Sequence, residues 1–171
     1  MRFVKFILIG LVGITLAFFS LGFFHPSFSY QNQVEVNASV EESFKVFTDE
    51  SLTHEWLEGY VGKEILSGKE LLVGSRFLMQ FEQDGEKFEF IEELIEYKKN
   101  EKFVFEVETA FFKGTVGIYF EGNEEKTTIK SFASSKGNNA FYSSMFYLLK
   151  SAFKQQAQVN YDLLKDLIEK Q

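Results

Sequence analysis

The chain has 171 residues, 18 Lys+Arg against 25 Asp+Glu, no cysteine, one proline and 22 phenylalanines. Setting aside Arg2 and Lys5, everything after the first thirty residues carries 16 basic against 25 acidic side chains. That balance argues against nucleic acid and against adherence to anionic headgroups. The missing cysteine excludes thiol chemistry, thiolate metal sites and an acylated lipoprotein.

Residues 6–24, FILIGLVGITLAFFSLGFF, contain no charge. As a helix they span roughly 28 Å, close to the ~30 Å hydrocarbon core of a bilayer. Arg2 and Lys5 precede the run and the next basic residue is Lys45, so the N-terminus is expected in the cytoplasm and the rest outside it. A cleaved signal peptide is the competing reading, supported by Ser20 and Gly22 at a small-x-small spacing. Against it, the run is long and continues through Phe23 and Phe24. The lone Pro26 should stop the helix, with SFSY (27–30) a short tether. Domains are therefore expected at 1–30, anchor and tether, and 31–171, a single globular unit.

QVEVNAS (33–39) alternates as a first strand. Ser39 followed by Glu42 is a capping-box pattern opening a helix with Val40, Phe44 and Phe47 on one face. A second short helix is expected in SLTHEWLEG, ending at Gly59. Strand-like runs follow at 61–67, 75–83, 86–97, 102–112, 114–122 and 126–134. Asp84-Gly85 is a strong hairpin signal; Lys98-Lys99-Asn100, Lys113-Gly114 and Gly122-Asn123 are weaker ones. Such short links make consecutive strands antiparallel. Phe88 and Phe90 share one parity, Ile91, Ile95 and Tyr97 the other, so a bulge is expected near Ile91. After GNN (137–139) apolar residues recur at helical spacing, Phe141, Met145, Leu148, Leu149, Ala152, Val159, Leu163 and Leu167, predicting one long helix lying across a curved sheet.

This order, strand, two short helices, six strands, long helix, resembles the helix-grip fold of the SRPBCC superfamily, which includes START, polyketide-cyclase-like and birch-allergen-like domains. The carrying residues are VEVNASVEESFKVFTDESLTHEWLEGY (34–60): Ala38-Ser39, Glu42-Ser43-Phe44, Thr48-Asp49 and Trp56. Gly22-Phe23-Phe24-His25-Pro26-Ser27 resembles the end of a membrane helix in one bacterial branch. Ser39 stands where the family usually has proline, a difference that concerns only the helix start. The resemblance implies an α+β fold with about seven strands and a cavity between sheet and C-terminal helix.

The phenylalanine rows fit either a filled core or an aromatic cavity for a lipid or other hydrophobic small molecule. The ligand-pocket candidates are Trp56, Tyr60, Phe77, Met79, Phe81, Phe103, Phe105, Val107 and Phe111, faced by Met145, Leu149 and Phe153 of the last helix. His54 and Glu92 are the polar candidates. His54 with Glu55 suits an acid–base pair or two solvated residues. Glu92 or Glu93 lies where parity changes, so one of them can turn inward. Glu89, Glu106 and Glu108 belong to the solvent face, and Arg76 is either a surface residue or a fork for an anionic headgroup. Asn37-Ala38-Ser39 matches a glycosylation sequon at a strand–helix junction and carries no weight.

No catalytic residue, metal ligand or cofactor is assigned. The reading is a binding module tethered to a membrane through residues 6–24, outside the cytoplasm, without a nucleic-acid partner. The alternatives are a protein-interaction module with a filled core and a cyclase- or hydrolase-like enzyme.

Overall fold

The computed structural model describes residues 2–171. Its elements are α1 (Arg2–Phe24), β1 (Ser27–Val36), α2 (Val40–Thr48), a 3-10 turn (Glu50–Leu52), α3 (Thr53–Trp56), β2 (Tyr60–Ser67), β3 (Arg76–Gln83), β4 (Glu86–Lys98), β5 (Lys102–Glu108), β6 (Phe112–Gly122), β7 (Thr127–Gly137) and α4 (Ala140–Ile168). The seven strands form one antiparallel sheet in the order β1-β7-β6-β5-β4-β3-β2. The first strand thus pairs with the last, and β1 and β2 are the edges. This is the α+β helix-grip architecture, with α4 running along the concave side.

Local chemistry explains most boundaries. The Ser39 hydroxyl accepts from the Glu42 amide, while the Glu42 carboxylate accepts from the Ser39 amide, closing the capping box. Asp84 and Gly85 have φ of 53° and 81°, the left-handed pair that a two-residue hairpin requires. Asn123 Oδ1 accepts from the amides of Glu125 and Lys126 to make the β6–β7 turn.

Three expectations need correction. Lys113-Gly114 is not a turn but lies inside β6; the β5–β6 turn is closed by Thr109, whose hydroxyl accepts from the amides of Phe111 and Phe112. The bulge of β4 is at Ile95, between the Leu94 and Glu96 pairings, not at Ile91. Residues 27–30 are not a tether: they are the first four residues of β1 and pair with 133–136 of β7.

The join between α1 and the remainder is therefore a packed contact. α1 is long and apolar enough to cross a membrane over Phe3–Phe24 and is exposed along most of its length. It ends at Pro26, whose carbonyl accepts from the Ser143 hydroxyl. Ser144 Oγ donates to the Phe18 carbonyl (2.5 Å) and accepts from the Gly22 amide (2.8 Å), inserting an α4 side chain into the last turn of α1. His25 stacks on Tyr147 with centroids 4.3 Å apart. A Cβ on Gly22 would sit 2.0 Å from the Ala140 carbonyl oxygen and 2.5 Å from Ser144 Oγ, whereas one on Gly10 or Gly13 meets nothing within 4 Å. Gly22→Val is expected to unseat α1 from α4, seen as faster amide exchange over 140–147. A rise beyond about tenfold corresponds to roughly 1.4 kcal/mol. Gly13→Val should leave exchange unchanged.

A candidate ligand cavity under the C-terminal helix

Inward-pointing residues of β3, β4, β5 and β6 alternate with outward ones, as the pleat demands. Phe77 and Met79 come from β3, Phe103 and Phe105 from β5, Val116 and Ile118 from β6. Phe47 of α2 and Trp56 of α3 close one side, with their rings 5.4 Å apart, and Ala157 and Tyr161 of α4 cover the top. Together they enclose a cavity of about 290 Å³, at the small end of the range typical of ligand sites. Trp56 is the chain's only tryptophan, and its indole N–H is buried without a hydrogen-bond acceptor.

Glu92 is the polar exception in this wall. On β4 the residues 88, 90, 92 and 94 share the concave face because the ladder stays regular up to Leu94 and shifts only afterwards. Its cross-strand neighbours are Phe77 on β3 and Val107 on β5, both apolar. Glu92 is half-buried and lines the cavity. Burial pushes its pKa up to about 7, opposed by the charge of Lys63, and no hydrogen bond steadies its charged form among the described residues.

The mouth lies between the 3-10 turn, α3 and the β2–β3 loop. Lys63 of β2 spans it: Nζ is 2.9 Å from Glu50 Oε2 and 3.0 Å from Glu70 Oε1, and 5.5 Å from the centre of the Phe77 ring. Burial alone would lower the Lys63 pKa; hydrogen bonds to the two carboxylates outweigh it and hold the pKa up. Lys63 in turn keeps Glu70 below the usual carboxylate range. Burial raises the Tyr60 phenol, which stands beside the same cluster. Lys63→Ala should open this staple, raising acrylamide quenching of Trp56 several-fold. Global stability should fall by less than about 1 kcal/mol, because half-exposed ion pairs contribute little.

Of the residues expected from sequence, Trp56, Tyr60, Phe77, Met79, Phe103, Phe105 and Glu92 line the cavity. Seven others do not. Phe81 is buried beyond its end, where its ring stacks on Phe88 and Phe90. Val107 is buried past the cavity at the far end of β5. Phe111 is 50 % exposed in the β5–β6 turn, against Tyr142. Phe153 fills the sheet edge instead, stacking on Phe28 of β1. Met145 is half-buried and Leu149 is 44 % exposed, since α4 presents the Phe146, Ala157, Tyr161, Leu164 and Ile168 side to the sheet. His54 is exposed on α3, because a one-turn helix that buries Trp56 must turn the residue two before it outward. Arg76 is outward as well, 3.8 Å from Glu93.

Lys63, Glu50 and Glu70 carried no sequence signal as site residues: a lysine on an edge strand reads as solvation. Val116 and Ile118 were legible from the alternation of β6.

A curved antiparallel sheet gripping one long helix over an aromatic cavity defines a helix-grip domain of the SRPBCC superfamily. More narrowly, residues 37–169 match the model of the AHSA1 family, Activator of Hsp90 ATPase homolog 1-like protein, and the chain belongs to that family. Among solved structures it is similar to Ara h 8.0201 (TM-score 0.69, 11 % identity, 85 % of this chain and 99 % of that one). A conserved protein from Geobacillus kaustophilus is also similar (TM-score 0.68, 16 %, 84 % and 96 %). The di-domain ARO/CYC StfQ from the steffimycin biosynthetic pathway matches over one half (TM-score 0.69, 11 %, 85 % and 52 %). No curated protein sequence matches the chain.

Proposed function

We propose that this protein is a non-catalytic module, anchored in a membrane by α1 and lying outside the cytoplasm, that binds a hydrophobic small molecule or lipid under α4. The observation that carries this reading is the aromatic cavity of about 290 Å³ with the half-buried carboxylate of Glu92 in its wall. Membership in a superfamily whose domains generally bind hydrophobic ligands supports it. The bias of Arg2 and Lys5 to the N-terminal side of the apolar run supports the orientation. A cyclase- or hydrolase-like activity is less well supported, because His54 points away from Glu92 rather than completing an acid–base pair with it.

A second reading is a protein-interaction module of the cell envelope. It rests on an outward apolar stripe of α4, where Leu148, Val159 and Leu163 are exposed beyond Phe141, whose ring packs on Phe18 and Phe19 of α1.

Native mass spectrometry of the full chain, released from a mild detergent, separates the two. A reproducible extra mass that disappears on denaturation supports the ligand-binding reading. A bare mass, unchanged after incubation with lipid extract, overturns it and leaves the interaction reading.

A further inference from the structure

The cavity's charges restrict what it admits. One ammonium, Lys63, faces three carboxylates: Glu50 and Glu70 at the mouth and Glu92 inside. The first two take up two of the lysine's three donors and more than offset its charge, so an incoming anion meets a net negative field at the mouth. The remaining elements around Glu92 add no positive charge. β2 brings Tyr60 beside Lys63, β3 and β5 bring apolar Phe77, Phe105 and Val107, and α4 brings Asn160 and Tyr161. Asn160 Oδ1 accepts from the Glu58 amide, and its side-chain amide carries no charge.

Glu92 thus holds an acceptor against the cavity that the protein itself does not satisfy. An unpaired acceptor lining a ligand-sized apolar space marks where a donor belongs, and the unpaired Trp56 N–H of the same wall adds a neutral donor, not a cation. We propose that the ligand is an apolar molecule ending in a hydrogen-bond donor that reaches Glu92, best a protonated amine and otherwise a neutral hydroxyl, and that carboxylate- or phosphate-headed lipids are excluded. This rests on the ligand-binding reading above and adds the chemistry of the head. An amine meets a charge-assisted bond with Glu92, the stronger class of hydrogen bond. An acid meets repulsion from Glu92 unless one of the two groups first takes up a proton.

The test uses the full chain in phosphatidylcholine vesicles, with Trp56 as reporter. As the only tryptophan, in the cavity wall, it reads occupancy without background from elsewhere in the chain. Decylamine, 1-decanol and decanoate share one tail and differ only in the head. At pH 8 decylamine is expected to saturate a change in Trp56 emission at least about tenfold more tightly than decanoate, the margin a charge-assisted bond supplies over repulsion. 1-Decanol should fall between them. Glu92→Gln should remove the amine's advantage while keeping binding of the alcohol. In the unsubstituted chain that advantage should shrink between pH 8 and pH 6 as Glu92 takes up a proton, a check that needs no variant. Decanoate binding as well as or better than decylamine overturns the inference and leaves the cavity reading standing. If none of the three gives a saturable change, the ligand-binding reading falls with it.

Discussion

Phe44→Ala is expected to cost about 3–5 kcal/mol, a large fraction of the stability of an ordinary domain. The Phe44 side chain is 3 % exposed, and its ring meets Phe103 and Phe120 with centroids at 5.2 Å and Tyr97 at 6.2 Å. With Phe47, which meets the same Phe103 and Phe120 rings, it is the contact by which α2 closes the concave side of the sheet. α2 cannot compensate locally, since it is nine residues long and its start is already fixed. The Val40 amide donates to the Asn123 carbonyl, and the Thr127 hydroxyl to the Ala38 carbonyl. Removing the ring therefore leaves a void at the edge of an existing cavity, where collapse is limited by the capping box on one side and β6 on the other. The measurement is the urea midpoint of the full chain in detergent, Phe44→Ala against Ser39→Ala. Loss of the cap alone should cost only about 1 kcal/mol. Equal shifts would mean that α2 is held by its ends, not by its ring.

The legible part of the fold was what short-range chemistry dictates. Asp84-Gly85 specifies one turn type, Ser39 and Glu42 specify a helix start, and Pro26 ends α1; each acts within four residues. The long helix was legible as an element, but its orientation was not. α4 carries two apolar stripes, and spacing alone cannot tell the inward Phe146–Tyr161–Leu164 side from the outward Phe141–Leu148–Val159–Leu163 side. That choice is made by partners remote in sequence. α1 seats on Ser144, and Phe28 of β1 receives Phe146 and Phe153. The candidate site divided the same way. Strand parity located Phe77, Met79, Phe103 and Phe105, while the Lys63 staple joins three segments and is invisible in any one of them. Glu92 is the intermediate case. The parity conflict in β4 was legible, and whether Glu92 or Glu93 turned inward depended on where the bulge fell. At Ile95 it leaves Glu92 on the concave face.

Glu92→Gln is expected to stabilise the chain above pH 7 by up to about 3 kcal/mol and to flatten its dependence on pH. The Glu92 carboxyl titrates near 4.5 when free of the fold and at about 7 within it. Between those values the folded state holds a proton that the unfolded state has released, so stability falls as pH rises through that window and levels off above it. Other carboxylates act in the opposite sense. Glu35, Glu108 and Glu169, each lowered by its hydrogen bond to a lysine, and Glu42, lowered by its bonds to Ser39, lose their contribution in acid. They are solvent-exposed, so that loss is small and lies below pH 5. Thermal melts of the full chain in detergent at pH 5 and pH 8 should therefore show a drop for the native chain and little change for Glu92→Gln. Parallel behaviour of the two would mean that the carboxylate is hydrated in the cavity and its burial is not felt. A drop confined to the native chain has a further consequence at pH 8. A donor that meets Glu92 offsets the cost of its charge, so an amine-headed amphiphile should raise the melting temperature of the native chain and leave that of Glu92→Gln nearly unmoved.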